Sequence, residues 1–330
     1  MQLLRLGRYA TMLPIDGIET VNIVNSDGFL KLEKLPRRVL IVGTGVIGLE
    51  FCTFLNTVGV EVTMLDILPE ILNGMDIDIA KSHRNLMLKK GVKFYLDAKI
   101  KRFERNGDDN ICYFEKDGAM LSVSADLIIM ATGRRPNTAG LGLENVGVVL
   151  EKRFIRVDDY CKTNIGNIFA IGDVNGKAML AHAASEQGMI VAGNLSADKR
   201  QKADFNLIPS CVYTEPEIAC VGINESQAKA LGIDVITGTF DASANGKSLI
   251  TGETHGFVKV VGDKRTGEIL GLQLYVAHAT DMIGEGIAAI KLESTLQEIS
   301  DAIHPHPTVN EMIMEAVHDA LGHSAHKIKR

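Results

Sequence analysis

The chain has 330 residues, 46% of them hydrophobic and 23% charged, and carries a net charge of −6. That length holds two or three packed domains, and the composition is that of a globular protein. The acidic balance argues against nucleic acid as a principal partner, and no apolar run reaches the roughly 18 residues of a membrane span.

In chain order, residues 1–35 read as loop, short strand, turn and a scrap of helix ending before Pro36. They carry too little apolar surface to fold alone and are expected to pack on another element. The opening "MQLLRLGRYATM" has no long apolar core and no small-residue cleavage site. No signal peptide is expected, and a cytoplasmic location is. Residues 36–137 alternate strand and helix, which predicts a parallel α/β sheet. A helix near 76–90 is closed by Gly91, and a hairpin is added around 97–123. Residues 138–205 hold the strand "NIFAIGDVNG" and a helix in "AMLAHAASEQGMIVAGNLS", followed by a charged linker, "ADKRQKADFN". Residues 206–330 change character to strands, a hairpin turning at Asp263–Gly267 and three helical stretches. The first runs over about 280–292, the second is opened by a Thr295/Glu298 capping box, and the third begins after Pro307. This is an α+β pattern. Cys52, Cys112, Cys161, Cys211 and Cys220 show no CxxC or CxxxxC spacing and read as buried, reduced thiols.

Within 36–137, "VLIVGTGVIGLE" places Gly43, Gly45 and Gly48 in a GxGxxG pattern between a buried strand and a helix. Gly43 permits the tight turn, Gly45 admits a pyrophosphate and Gly48 lets helix and strand approach. Val46 and Ile47 open the helix, whose free N–H groups and positive end suit phosphate. Asp66 closes the next strand 18 residues after Gly48 (66 − 48). A carboxylate there accepts from ribose hydroxyls and repels a 2′-phosphate, so NAD is expected rather than NADP. Glu50 follows the turn and is either part of the cofactor site or a solvated first-turn residue. The octapeptide "HPHPTVNE" (304–311) is open to three readings: a metal site, a general base or a helix start.

Four stretches follow the glycine unit in order: "ATGRRPNT" (131–138), "IFAIGDV" (168–174), "IPSCVYTEPEIACVG" (208–222) and "HPHPTVNE". On these motifs the chain resembles the class I pyridine nucleotide-disulfide oxidoreductases, and most closely the dihydrolipoyl dehydrogenases. The resemblance covers roughly residues 12–322. It implies a remnant of an FAD-binding domain at 1–35, a Rossmann-type NAD-binding domain at 36–137, a central FAD-binding segment at 138–205 and an α+β dimerisation domain at 206–330. It implies NAD and FAD as cofactors. Asp173 then binds the flavin's ribityl hydroxyls. Met179, Leu180, Ala181 and His182 start the helix that faces the flavin, with His182 itself expected to pack rather than react. Gly133 joins the cofactor set, and Arg134 and Arg135 lie in a loop near the nicotinamide nucleotide. His306 is the general base and Glu311 orients its ring, while His304 is structural.

That chemistry is sound: a thiol of pKa about 8.5 needs a base near 6.5 to become a thiolate at neutral pH. Thr308-x-x-Glu311 is also a capping-box pattern, and one rotamer of Glu311 is not expected to serve both roles fully. No metal is expected. The partners implied are a second copy, through 206–330, and a lipoyl-bearing protein of a 2-oxo acid dehydrogenase or glycine cleavage complex, with neither nucleic acid nor membrane. An earlier GxGxxG and the redox CxxxxC of the family do not occur in the chain. The expectation is an N-terminally truncated form, short of on the order of 100 residues and inactive alone. The alternatives are a non-catalytic NAD-binding and dimerisation module, or one half of a split enzyme.

Overall fold

A computed structural model describes residues 2–196, 201–205 and 207–327. Its contacts form two units: Met1–Met12 with Thr132–Ile208, and Leu13–Ala131 with Pro209–Arg330.

In the first unit, Gln2–Arg5 pairs in parallel with Ile168–Ile171, and Arg8–Ala10 pairs antiparallel with Arg134–Pro136. Leu143, Val148, Ile155, Val157 and Val174 form its core, with Leu4 and Leu6 packed against it. Strand Ile168–Ile171 runs into a one-turn 3-10 helix, Gly172–Asn175, and the long helix Ala181–Ser196 follows. Gln187 on that helix is buried, and its Oε1 accepts from Gly172 N (2.9 Å) and Asn175 Nδ2 (2.8 Å). This buried carboxamide fixes the polar turn to the helix.

The second unit holds a five-stranded parallel sheet in the order Ile23–Val24, Leu127–Met130, Arg38–Val42, Glu61–Leu65, Lys93–Tyr95. Its central strands, "RVLIV" and "LIIM", are apolar throughout because both faces are covered. Ile41, Leu49, Leu55, Met64, Ile79 and Met87 fill one side, and Leu40, Leu65, Phe103, Phe114 and Ile128 fill the other. Each such fully buried side chain contributes about 1.5–3 kcal/mol. Helices Val46–Thr57 and Ile77–Lys89 cover the first face. Lys99–Asn106, Asp109–Lys116 and Ala119–Ala125 form an antiparallel meander against the second.

The C-terminal half of this unit is an antiparallel sheet, ordered Ser210–Val212, Glu217–Gly222, Ile269–Val276, Phe257–Asp263, Val235–Asp241. Helices Ala279–Lys291 and Glu311–Ala320 lie on it. At Gly238 a Cβ would stand 2.1 Å from Ala316 O, so a glycine is what lets the last helix seat. Val212, Ile218 and Tyr275 belong to the same core cluster as Met64 and Ile79, which joins this sheet to the parallel one.

Several expectations are corrected. Arg134 and Arg135 are strand rather than loop, because Arg8–Ala10 supplies a ladder partner more than a hundred residues upstream. The last helix starts at Glu311, later than expected, because Thr308–Asn310 is spent in a turn in which Thr308 Oγ1 donates to Pro305 O (2.8 Å). The addition at 97–123 has three strands, not two. His182 is exposed. By contact, residues 13–35 group with the parallel sheet, and the two units divide at 12/13, 131/132 and 208/209. The reason is that Ile23–Val24 adds a strand to the parallel sheet, which is the packing expected of that segment. Residues 197–200 and 206 of the charged linker lie outside the described residues. The Thr295/Glu298 capping box and the turn at Asp263–Gly267 stand as read.

Candidate functional site

The three glycines of the loop meet different demands. Gly43 has φ +109° and donates to Leu65 O (2.8 Å), a turn that L side chains resist. Gly48 has no room, since a Cβ there would lie 2.1 Å from Gly43 O. Gly45 has neither constraint: φ is −76°, and a Cβ would meet nothing within 4 Å. Protein sterics do not explain Gly45, whereas a pyrophosphate lying on the backbone does. Gly45 caps the helix Val46–Thr57 without a side chain, and the first-turn N–H groups, Val46, Ile47 and Gly48 among them, have no intrahelical acceptors. The loop therefore fits a dinucleotide's phosphates.

Asp66 Oδ2 accepts from Thr44 N (2.6 Å) and Thr44 Oγ1 (2.8 Å), and Oδ1 accepts from Leu68 N (3.0 Å). Three of about four acceptor positions are thus used to brace the loop, leaving Oδ1 room for one hydroxyl donor. Leu72, buried at φ +51°, donates to Thr44 O (3.1 Å) from the far side. Thr44 and Leu72 are supports that the glycine spacing does not announce. Glu50 is half-buried, and its carboxylate accepts from Tyr213 N (3.1 Å). Burial raises its pKa despite that bond. Glu50 is therefore not a solvated first-turn residue.

The His–Glu motif comes together. His306 Nδ1 lies 2.9 Å from Glu311 Oε1, and Thr308 N donates to Glu311 Oε2 at 2.8 Å. One carboxylate holds the ring and the Thr308 amide with its two oxygens, but the capping box is not completed, because Thr308 Oγ1 donates to Pro305 O and the helix begins only at Glu311. A carboxylate only accepts, so Nδ1 carries the hydrogen and Nε2 holds the lone pair, on a side chain 75% exposed. Partial burial pushes Glu311 up, but the Thr308 amide and His306 outweigh it and hold the carboxyl below its usual range. His304 has a side chain only 6% exposed and bonds Ala302 O (3.1 Å) and Glu285 Oε1 (3.0 Å). His304 thus faces the fold, where His306 faces solvent.

The flavin-side residues lie in the first unit. Asp173 Oδ2 is 3.0 Å from Arg8 Nε, so a cation already compensates the carboxylate that a polyol would meet. Burial lowers the Arg8 pKa, and Asp173 opposes that shift. Gly133 has φ +100°, and its carbonyl accepts from Thr11 N (3.0 Å). Met179 and Leu180 precede the helix that Ala181 and His182 begin. These residues fit a flavin in part, because the acidic ligand is shared with Arg8.

Two clusters bear on redox and metal chemistry. Asp76, Asp78 and Glu225 have metal-ligand spacing among the described residues, but Lys259 Nζ sits among them at 3.0, 2.5 and 3.1 Å. Burial opposes the ammonium, and the bonds from Asp78 and Asp76 more than restore it, raising its pKa. Burial pushes the thiols of Cys52, Cys112 and Cys220 up to about 12 and that of Cys161 to about 11, while Cys211 is raised less strongly. None of the five is a poised thiolate.

A family model described as pyridine nucleotide-disulphide oxidoreductase matches residues 4–188, and one for the dimerisation domain of that family matches residues 208–317. The chain belongs to this family. Among curated members, a dihydrolipoyl dehydrogenase of Bacillus subtilis is 40% identical over 322 residues, 97% of this chain and 68% of that protein. One from Geobacillus stearothermophilus is 39% identical over 93% of this chain and 66% of its own length. The chain thus spans about two thirds of the relatives it matches. Two solved structures superpose with a TM-score of 0.88. One is the HOCl-induced flavoprotein disulfide reductase RclA of Escherichia coli, 27% identical over 96% of this chain and 72% of that one. The other is LpdA of Mycobacterium tuberculosis, 28% identical over 96% and 68%.

Proposed function

We propose that this chain supplies the NAD site and the thiol-deprotonating base of a dihydrolipoyl dehydrogenase-type reaction. The observation that carries the reading is the His306–Glu311 pair, with Nδ1 tied to the carboxylate and Nε2 left on an exposed ring. Nε2 takes the proton of a dihydrolipoyl thiol, and Glu311 stabilises the imidazolium that results. Gly43, Gly45, Val46, Ile47 and Gly48 hold the dinucleotide pyrophosphate, Asp66 takes a ribose hydroxyl and Glu50 borders the same helix. FAD, when bound, would relay electrons between the dithiol and NAD⁺. In this chain Gly133, Asp173 and the helix start at Met179, Leu180, Ala181 and His182 would hold it. The reading includes a homodimer through residues 206–330, a lipoyl-bearing protein as the macromolecular substrate and a cytoplasmic setting. Among the described residues, no helix is long and apolar enough to cross a membrane.

The five cysteines favour a corollary: with raised thiol pKa values and no CxxxxC spacing, the chain does not turn over alone. The redox pair comes from further sequence or a second chain. The test is NAD⁺ reduction by dihydrolipoamide, with the chain supplemented by a polypeptide bearing the upstream glycine fingerprint and the cysteine pair. The expected result is turnover that His306→Gln abolishes while NADH binding persists. Turnover that is unchanged in His306→Gln, or a flavin-coloured complex that never reduces NAD⁺, would sink the reading.

A further inference from the structure

With Glu285 ionised, His304 faces two groups that only accept. Its Nδ1 lies 3.1 Å from the carbonyl of Ala302, and its Nε2 lies 3.0 Å from Glu285 Oε1. A neutral imidazole has one N–H and one lone pair, so one of these contacts would set lone pair against lone pair. The geometry is satisfied when both nitrogens carry hydrogen and Glu285 is ionised. The surroundings enforce this as a pair. The His304 side chain is 6% exposed and that of Glu285 26%. The pinched space beside Glu285 is walled by Leu272, Ala289, Ile299, Ile313 and Val317. Glu311 is a charged group that His304 acts on.

Glu285 also reaches the far end of that loop. Its Oε2 accepts from Asn310 Nδ2 at 2.5 Å, and Asn310 is the residue that precedes the Glu311–Ala320 helix. One carboxylate on helix Ala279–Lys291 therefore clamps both ends of the segment 304–310 that carries His306. Asn245 Nδ2 secures the middle through Thr308 O (3.0 Å).

We propose that Glu285 and His304 are positioning residues for His306. Glu285 holds His304 as a doubly protonated imidazolium, and the pair sets the loop path and the local charge that keep Glu311 ionised on His306 Nδ1. The positive ring of His304 is among the influences that lower the Glu311 carboxyl, after the Thr308 amide and His306. The inference rests on the reading of His306 as a base, but its protonation claim stands on geometry alone.

Nitrogen-15 spectroscopy of histidine-labelled full chain tests it without flavin, thiol or nucleotide. At neutral pH both ring nitrogens of His304 are expected to show N–H character, and His306 to show a protonated Nδ1 and a bare Nε2. In Glu285→Gln, His304 should lose its second N–H, and His306 should become a mixture of tautomers. Glu285→Asp should restore part of both signals. A bare nitrogen on His304 in the unmodified chain overturns the proposal, and so does an unchanged His306 tautomer in Glu285→Gln. If Glu285→Gln fails to fold, the His304 signals of the unmodified chain decide. Failure of NAD⁺ reduction would leave these signals untouched, so the two readings fail separately.

Discussion

Replacing Gly45 with alanine separates a ligand-binding glycine from a structural one. The backbone there, φ −76°, is ordinary for alanine, and the new methyl meets no protein atom within 4 Å. Reduced freedom of the unfolded chain should stabilise by about 0.4–1 kcal/mol. Alanine is a poorer helix cap than glycine, which costs a similar amount, on the order of 0.5–1 kcal/mol. The two offset, so Gly45→Ala should fold with stability within about 1 kcal/mol of the parent. Its methyl occupies the place where a pyrophosphate would meet the backbone, and NADH affinity should fall at least about tenfold, or 1.4 kcal/mol. Gly48→Ala should behave oppositely. Its Cβ would lie 2.1 Å from Gly43 O, an overlap that must shift the helix, and the cost should reach about 1–3 kcal/mol or more. Urea unfolding and NADH calorimetry on both variants give the comparison. An unchanged NADH affinity in Gly45→Ala, or a large stability loss there, would refute the reasoning.

Three further outcomes follow from buried charge. Burial lowers His83 from 6.5 to about 4. Between those values the unfolded chain takes up a proton that the folded chain refuses, so stability is full above 6.5 and falls as pH drops toward 4. The loss from pH 7 to pH 5 should be about 2 kcal/mol, and urea midpoints should show a flatter acid limb in His83→Met. Lys259→Met leaves Asp76, 3% exposed, with no cation and should cost about 3–5 kcal/mol, partly recovered when Asp76→Asn is added; an additive double variant would contradict the coupling. Glu311→Ala should release His306 Nδ1 and turn one ring tautomer into two by nitrogen-15 spectroscopy. A single tautomer in that variant would mean something else orients the ring.

What the sequence disclosed and what it hid divide by distance along the chain. Gly43, Gly48 and Asp66 were legible because turn, helix start and next strand lie within one local unit whose spacing is set by covalent geometry. The Thr295–Glu298 cap was legible for the same reason. Arg134 and Arg135 were misread because their ladder partner, Arg8–Ala10, is remote in sequence. The shared work of Glu311 was missed because a motif shows one carboxylate, not two oxygens pointing to different donors. Glu285 gave no signal at all. It lies in an ordinary amphipathic helix, and its role exists only once that helix packs beside residues 304–310. Asp173 was readable as a polar turn residue, but its pairing with Arg8 was not.

The claim most exposed to a single experiment is that the glycine loop and Asp66 form an NAD site. Calorimetric titration of the purified chain with NADH and, separately, NADPH measures it directly. The Asp66 carboxylate beside a 2′-phosphate at about 4 Å would meet repulsion of several kcal/mol at an effective dielectric near 20. NADH should therefore bind at least about tenfold more tightly than NADPH. Equal affinities would contradict the role of Asp66, and no heat with either nucleotide would contradict the site.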